Sequence, residues 1–332
     1  MRAFGGPEVL RPEAIPLPPL GPTELRIRTI AAAVNHSDLE IRTGAWPLRR
    51  LDALPYVPGL EVVGEVCEVG AALDADHVGD RVITMMQGLG GVRAERPGGY
   101  QHEVTVDADA VAPIPAEVDP LAAAALGLAA VTAHQGLARL GPLAGRALIV
   151  TGAAGGVGSA ACALGAAAGA SVTAVVRDPD GAAYLRGLGV ARVVTDAAEL
   201  APRSADAVLD NVAGALFEPL IAALVDGGRY CMVGAMGGER AAFSAWELFR
   251  GVAITGYSSE TLDGPALRAA AAEIFGRLAR GELAPPAYQA LPLSRAAEAH
   301  RLIEARGVRG RILLVPDPEG AGEGDGTSAS AP

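Results

Sequence analysis

The sequence predicts an α/β protein in which an irregular β-rich region precedes a doubly wound parallel sheet. Three observations carry this. Residues 1–118 hold short β-type runs cut by Pro and Gly. From Pro120 onward, strand-length apolar runs alternate with helix-length runs. One glycine-rich turn joins the first of those strands directly to a helix.

In the β-rich region the runs are Leu25–Thr29, Glu61–Val69, Arg81–Thr84 and Glu103–Val106. Next comes a helix over Leu121–Ala138. The alternating part then reads strand Ala147–Thr151, helix Ser159–Ala168, strand Ser171–Val176 and helix Ala182–Leu188. It continues with a short strand at Val193 and Val194, strand Ala207–Asp210, helix Phe217–Leu224, strand Arg229–Val233, helix Ala245–Arg250 and strand Ala253–Tyr257. Two more helices, Leu267–Arg280 and Arg295–Ala305, and a last strand, Arg311–Val315, are left over from this sheet and are assigned to complete the first domain. The expected boundaries are 1–118, 119–262 and a return to the first domain over 263–316. The acidic Gly/Ser/Pro stretch 317–332 has no periodicity and reads as a disordered tail.

Composition narrows the function. With 332 residues, half of them apolar and 20% charged, the chain suits about two packed domains and needs no disulfide or metal staple. All 27 strong bases are Arg; against 38 acids they leave a net charge of −11. Such a field repels phosphate backbones, so neither a nucleic acid nor an anionic membrane is an expected partner. Cys67, Cys162 and Cys231 are far apart and form no C-x-x-C pair, which suits a reduced, cytoplasmic setting. No signal-peptide pattern opens the chain, and the longest apolar stretch, Leu121 to Ala133, is short for a membrane span.

The sharpest motif is Thr151-Gly152-Ala153-Ala154-Gly155-Gly156-Val157-Gly158. In a strand–turn–helix context it reads as a dinucleotide-binding turn. Gly155 lets the backbone approach a pyrophosphate, Gly158 lets the helix pack on the strand, and the free N–H groups of the helix start hold the negative charge. Ala153 replaces the first glycine of the usual G-x-G-x-x-G form. At the end of the second strand, where an acid would bind the ribose 2′-OH of NAD, stand Val175-Val176-Arg177. A guanidinium there suits a 2′-phosphate and predicts NADPH. The opposing reading makes Arg177 a solvated surface residue, with Asp178 and Asp196 repelling a phosphate.

Together with this turn, a series of pieces runs nearly the length of the chain: Val34-Asn35-His36-Ser37-Asp38 with Arg42-Thr43-Gly44, Pro58-Gly59-Leu60-Glu61 with Gly64, and Val78-Gly79-Asp80-Arg81-Val82. Then follow Gly98-Gly99-Tyr100, Thr132-Ala133, Asp210-Asn211-Val212, Gly227-Gly228-Arg229 and Gly310-Arg311. In order and spacing they resemble the medium-chain dehydrogenase/reductase superfamily, in its zinc-free quinone oxidoreductase and enoyl reductase branch. The resemblance implies a GroES-like catalytic domain built from both chain ends, a Rossmann domain between, and a substrate cleft beside the nicotinamide.

It also locates the zinc ligands of the family's alcohol dehydrogenases. Asn35 stands at the first Cys position, Leu60 at the His of Gly-His-Glu, and Ile83–Gly98 contains no Cys. An amide and an isobutyl group do not hold Zn²⁺, so no metal is expected. His36, His77, His102, His134 and His300 are scattered and form no i,i+4 pair. Without zinc, or any Lys for a Tyr–Lys pair, alcohol oxidation is poorly served. Hydride delivery to a conjugated carbonyl, with charge spreading onto oxygen, needs only a few placed donors.

The resemblance implies a set of site residues. Asn35 is an uncharged donor near nicotinamide or substrate, or else a turn former with Ser37 and Asp38. Thr132 corresponds to a threonine on the nicotinamide side. Trp46 occupies the position of a tyrosine that donates a proton in many enoyl reductases, and indole cannot serve as an acid. Tyr56, Tyr100 and Tyr257 are the alternative donors. Asp38 and Arg42 are read as a structural pair. Cofactor contacts are expected from Ala154, Gly155, Gly156, Val157, Gly158, Val176, Arg177, Asn211, Val233, Gly234 and Ser258, and Arg311 is expected to reach the cofactor phosphates. The expected activity is NADPH-dependent reduction of a small quinone or enone, in a homodimer paired along the Ala253–Tyr257 edge. A tailoring reductase of a secondary metabolite and a non-enzymatic dinucleotide-binding protein stay open beside it.

Overall fold

The computed structural model describes residues 1–46, 54–89, 96–305 and 310–317. In chain order the β-rich region gives β1 (Glu24–Ala33), α1 (His36–Thr43), β2 (Glu61–Val69), β3 (Arg81–Met85), β4 (Glu103–Asp107) and β5 (Val111–Pro113). The long helix α2 (Pro120–Arg139) follows. Then come β6 (Ala147–Thr151), α3 (Gly156–Ala167), β7 (Ser171–Val175), α4 (Ala182–Gly187), β8 (Arg192–Val194) and β9 (Ala205–Asp210). The chain continues through α5 (Phe217–Ala223), β10 (Leu224–Met232) and β11 (Ala253–Gly256). It ends in α6 (Gly264–Ala279), β12 (Tyr288–Pro292), α7 (Ala296–Glu304) and β13 (Arg311–Val315).

Among the described residues these strands form two sheets. The first runs β12-β13-β1-β2-β3-β5, with β4 also on β1. Strand β1 is shared: Glu24–Arg28 pair antiparallel with β4, and Ala32 and Ala33 pair with β13. The last strand therefore closes on the first, and Arg311 comes to lie near Asn35 at the end of β1. The second sheet is parallel throughout, in the order β8-β7-β6-β9-β10-β11. Numbered within that sheet the order is 3-2-1-4-5-6, which reverses direction between β6 and β9 and opens a crevice at their carboxyl ends. Apolar runs such as Leu148-Ile149-Val150 are buried on both faces, as a helix-covered parallel sheet requires.

Helix α2 ties the sheets together. Asp119 caps it, with Oδ1 accepting the Leu121 N–H at 2.6 Å, and Pro120 fits the first turn, which needs no N–H. It has the length and apolarity of a membrane span, yet 78% of that stretch is buried inside the protein. The continuous helix expected over Leu121–Ala138 is interrupted. Gly127 has φ +36° and ψ −137°, and the Glu61 carboxylate occupies the space, accepting the Leu128 N–H at 2.6 Å. A β-carbon on Gly127 would lie 1.9 Å from Glu61 Oε2. The second half of α2 thus has its own N-terminus, capped by an acid from β2.

Two further expectations change, and one strand appears that the sequence did not mark. The helix expected from Ser159 begins at Gly156, because the small residues of the glycine turn already accept helical geometry. Ala245–Arg250 is a 3-10 turn ending in Gly251 at φ +73°, with none of its residues buried to anchor an α-helix. Strand β12 has an exposed, weakly patterned sequence and is recruited by pairing with β13. Helix α6 packs on α2 and β5, and α7 packs on β12 and β13. The expected tail from 318 on lies outside the described residues, while Asp317 accepts the Ser294 N–H at 3.1 Å.

The close fit of α3 on β6 rests on Gly158, where a β-carbon would lie 2.2 Å from the Gly152 carbonyl oxygen and 2.7 Å from the Ala153 α-carbon. Both obstacles are backbone and cannot swing away. Gly158→Ala is expected to cost about 1–3 kcal/mol in urea unfolding. Gly187→Ala, where nothing lies within 4 Å of the new carbon, should change stability by less than about 0.5 kcal/mol.

Candidate active site

Two clusters form where the sheets meet. The first is built on Glu61, which is 3% exposed. One carboxylate oxygen takes the Leu128 N–H; the other takes Asn35 Nδ2 at 2.8 Å and Arg311 Nη2 at 3.0 Å. Arg311 Nη2 also donates to Asn35 Oδ1 at 2.9 Å. Both ends of the Asn35 carboxamide are therefore held, by an acceptor on one side and a donor on the other. Burial pushes the Glu61 carboxyl up, while Arg311 first, then Asn35 and the Leu128 N–H, pull it down. A fully buried carboxylate with a guanidinium and two further donors has what it needs to stay ionised.

The second cluster lies at the crevice between β6 and β9. Asp210 is fully buried and accepts hydrogen bonds from the Thr151 hydroxyl, the Tyr230 hydroxyl and the N–H groups of Val212 and Ala213. These bonds hold Ala213 at φ +56°, a conformation that a non-glycine residue keeps only when its surroundings impose it. Asn211 is tied back: its N–H donates to Thr151 Oγ1 at 2.9 Å and its Nδ2 to the Thr151 carbonyl at 2.7 Å. Val233 donates its N–H to the Asp210 carbonyl, and Gly234 packs against the Asn211 carbonyl. The second half of α2 covers this end, since a β-carbon on Gly136 would meet Leu209 and Val233. Thr132 lies on that half, buried, with its hydroxyl unbonded among the described residues.

The glycine turn fits a phosphate. Ala154 and Gly155 are exposed, and a β-carbon on Gly155 would meet only the Gly152 carbonyl. The first-turn N–H groups of Gly156, Val157 and Gly158 have no partner within the helix. Gly156 has a different reason for its small size: a β-carbon there would lie 2.8 Å from Arg311 Nη1. Arg311 is thus anchored on Glu61 and Asn35 while its other edge faces the start of α3. Val176 is buried beyond β7, with its N–H on the Val194 carbonyl. Arg177 is exposed and has no partner among the described residues. The nearby acids are engaged locally: Asp178 accepts the Asp180 N–H, and Asp196 accepts the Ala198 N–H.

Other expected residues stand apart. Tyr56 is buried and lines a cavity of 630 Å³ with Leu10, Tyr100 and Leu293, to which the parallel sheet contributes no residue. Trp46 packs against the main core, with its indole N–H buried and without a partner among the described residues. Ser258 is exposed and caps a 3-10 turn by accepting the Glu260 N–H. Tyr257 is buried beneath the Arg139 guanidinium, 4.3 Å from its ring centre, and burial pushes its hydroxyl up to about 12.

The expected Asp38–Arg42 pair is not formed. Both are buried on α1 but turn to different partners. Asp38 Oδ2 accepts the Asn35 N–H at 2.8 Å, closing the helix start, with the Tyr100 hydroxyl beside it. Arg42 bonds the Gly5 carbonyl, Glu304 and His300 Nδ1. His300 Nε2 meets the Tyr100 hydroxyl at 3.1 Å. Because Arg42 can only donate, His300 carries its proton on Nε2, and Tyr100 is left to donate toward Asp38. Tyr100 is therefore committed to this chain. Asp210, Thr151 and His300 were given no site role from sequence, yet they hold these loops; the Asp210-Asn211 motif was visible, but the side chains that bond the carboxylate, Thr151 and Tyr230, lie in other strands.

Residues 21–116 match the model of the alcohol dehydrogenase GroES-like domain, and residues 188–314 match that of the zinc-binding dehydrogenase. A quinone oxidoreductase of Sus scrofa is 30% identical over 330 residues, covering 94% of this chain and 95% of that protein. A solved mycobacterial quinone oxidoreductase is 30% identical with a TM-score of 0.82, covering 95% of this chain and 98% of that one; it has also been solved with NADPH. An NAD-dependent alcohol dehydrogenase structure is 31% identical, with a TM-score of 0.82 and coverage of 96% and 98%. The chain belongs to the medium-chain dehydrogenase/reductase superfamily, among the quinone oxidoreductases, and is an oxidoreductase on a nucleotide-binding dehydrogenase fold.

The chain from Asp38 to Arg42 carries a pH signature. Burial, with Glu61 adding to it, raises Asp38 from 3.8 to about 7, against the pull of the Asn35 N–H. Burial, then Arg42, lowers His300 from 6.5 to about 3. The folded state holds the Asp38 proton more tightly than the unfolded chain, so that contribution is lost as pH rises from 3.8 through about 7. It holds a His300 proton less tightly, so that contribution is lost as pH falls from 6.5 toward 3. The two oppose each other where they overlap. Asp38→Asn should leave a melting temperature that rises with pH across this range, and His300→Gln one that falls, each relative to the parent.

Proposed function

We propose that this protein is an NADPH-dependent, zinc-independent reductase of quinones or α,β-unsaturated carbonyl compounds. The observation that carries the reading is the Glu61 cluster. Where the resemblance puts a catalytic zinc, the cation facing Asn35 and Glu61 is the guanidinium of Arg311, 3.0 Å from the carboxylate. A guanidinium neutralises the acid but offers no open coordination position with which to polarise an alcohol. Among the described residues, no three His, Cys, Asp or Glu side chains are grouped to hold a metal.

Bound NADPH would supply the hydride. In this reading the chain's residues bind and orient it. The N–H groups of Gly156, Val157 and Gly158 hold the pyrophosphate, with Ala154 and Gly155 leaving it room. Arg177 takes the 2′-phosphate. Thr132, Asn211, Val233 and Gly234 shape the nicotinamide side, and the Asp210 bonds keep the Asn211 loop in place. The proton that completes the reduction does not come from the Trp46 indole, which is not an acid.

Purified protein treated with EDTA is expected to oxidise NADPH with members of a quinone and enone panel. Turnover that requires added Zn²⁺, or none with any member, would overturn the proposal. Arg177→Ala should raise KM for NADPH about tenfold and leave that for NADH unchanged.

A second copy of the chain is the partner we propose, in the reducing cytoplasm. All four residues of the edge strand β11 are exposed, and beside it Trp246 and Phe249 are 76% and 83% exposed with ring centres 5.4 Å apart. An unpaired edge next to bare aromatic surface suits a two-fold contact. Light scattering is expected to give a dimer mass, and the double variant Trp246→Glu/Phe249→Glu a monomer mass.

A further inference from the structure

We infer that Arg311 couples anion binding at the start of α3 to the orientation of the Asn35 carboxamide in the other half of the molecule. This rests on the reading that a dinucleotide occupies the glycine turn, and it adds a positioning role that neither the turn nor Asn35 has alone.

Arg311 is 8% exposed and its two edges face different structures. Nη2 is bonded to Asn35 Oδ1 at 2.9 Å and Glu61 Oε1 at 3.0 Å. Nε is buried without a partner, and the hydrogen bonds that Arg311 donates among the described residues come from Nη2, leaving Nη1 free. Nη1 lies 2.8 Å from where a β-carbon of Gly156 would stand, at the first residue of a 12-residue helix. The donor that Arg311 presents to the helix N-terminus is Nη1, since Nε–H points to the Nη2 side of the guanidinium plane, away from Gly156. A phosphate oxygen there would meet the helix N–H groups and the free edge of Arg311 together.

The guanidinium is a rigid plane, so one edge cannot be aimed independently of the other. Asn35 and Glu61 fix the direction of Nη2 and thereby the direction of the free edge. The same two groups fix the carboxamide, since Asn35 accepts from Arg311 and donates to Glu61 at 2.8 Å. An anion that binds the free edge stabilises this one arrangement. By reciprocity, the arrangement favours the anion. Asn35 would thus affect phosphate affinity without touching the phosphate.

The probe is ADP-ribose 2′-phosphate, the cofactor without its nicotinamide, titrated by calorimetry into the full-length protein. Having no nicotinamide, it gives Asn35 no ring to contact. Asn35→Ala is expected to weaken its binding about fivefold in the parent and to have no effect in Arg311→Gln. Arg311→Lys keeps the charge without the fork. It should bind the probe better than Arg311→Gln while losing the dependence on Asn35, and it carries the cycle if Arg311→Gln does not fold. Equal effects of Asn35→Ala in both backgrounds, or none in the parent, would overturn the inference while leaving the dinucleotide reading intact. Failure of the parent to bind either the probe or NADPH would remove that reading and the inference with it.

Discussion

The architecture depends on one buried carboxylate. Glu61 lies on β2, and its oxygens draw in the broken backbone of α2, the end of β1 and the start of β13. A carboxylate there without donors would be too costly to bury, and a guanidinium there without an acceptor equally so. Each makes the other tolerable, and removing one partner of such a pair typically costs about 3–5 kcal/mol. The contact joins residues 250 positions apart, so the first and last parts of the chain must both be in place before it forms.

The break in α2 follows from the same contact. An unbroken helix would fill the space that Glu61 occupies, and any residue larger than glycine at position 127 would collide with it. The cost of glycine within a helix is offset by a charged cap on Leu128, the start of the half-helix that carries Thr132 and covers the crevice. At the floor of that crevice Asp210 plays a comparable part. Its accepted hydrogen bonds turn a reversal of strand order into a loop of defined shape. Two buried acids, one on each sheet, thereby hold Asn35 and the loop of Asn211 in place.

Much of the fold was legible in the sequence. Strands β6, β7 and β9 are short apolar runs at the places the pattern marks, and the glycine turn announces both the strand before it and the helix after it. What escaped detection had no local signature. Strand β12 is mostly exposed and exists through its pairing with β13. Asp38 and Arg42, one helical turn apart, look like an ion pair in sequence. Asp38 is taken instead by the Asn35 N–H, and Arg42 by Gly5, His300 and Glu304, which come from both ends of the chain.

The sequence by itself determined the alternation of strands and helices, the glycine turn and the net charge, because these depend on residue type and on spacing along a local stretch. Only the tertiary structure decided that Arg311 stands between Glu61, Asn35 and Gly156, that Gly127 breaks its helix for a carboxylate, and that Tyr100 is bonded to His300. Those choices are made by the desolvation of charge. A buried ionised or hydrogen-bonding group takes whichever partner the packed chain brings within reach, and that partner is set by the whole fold rather than by any neighbour in sequence.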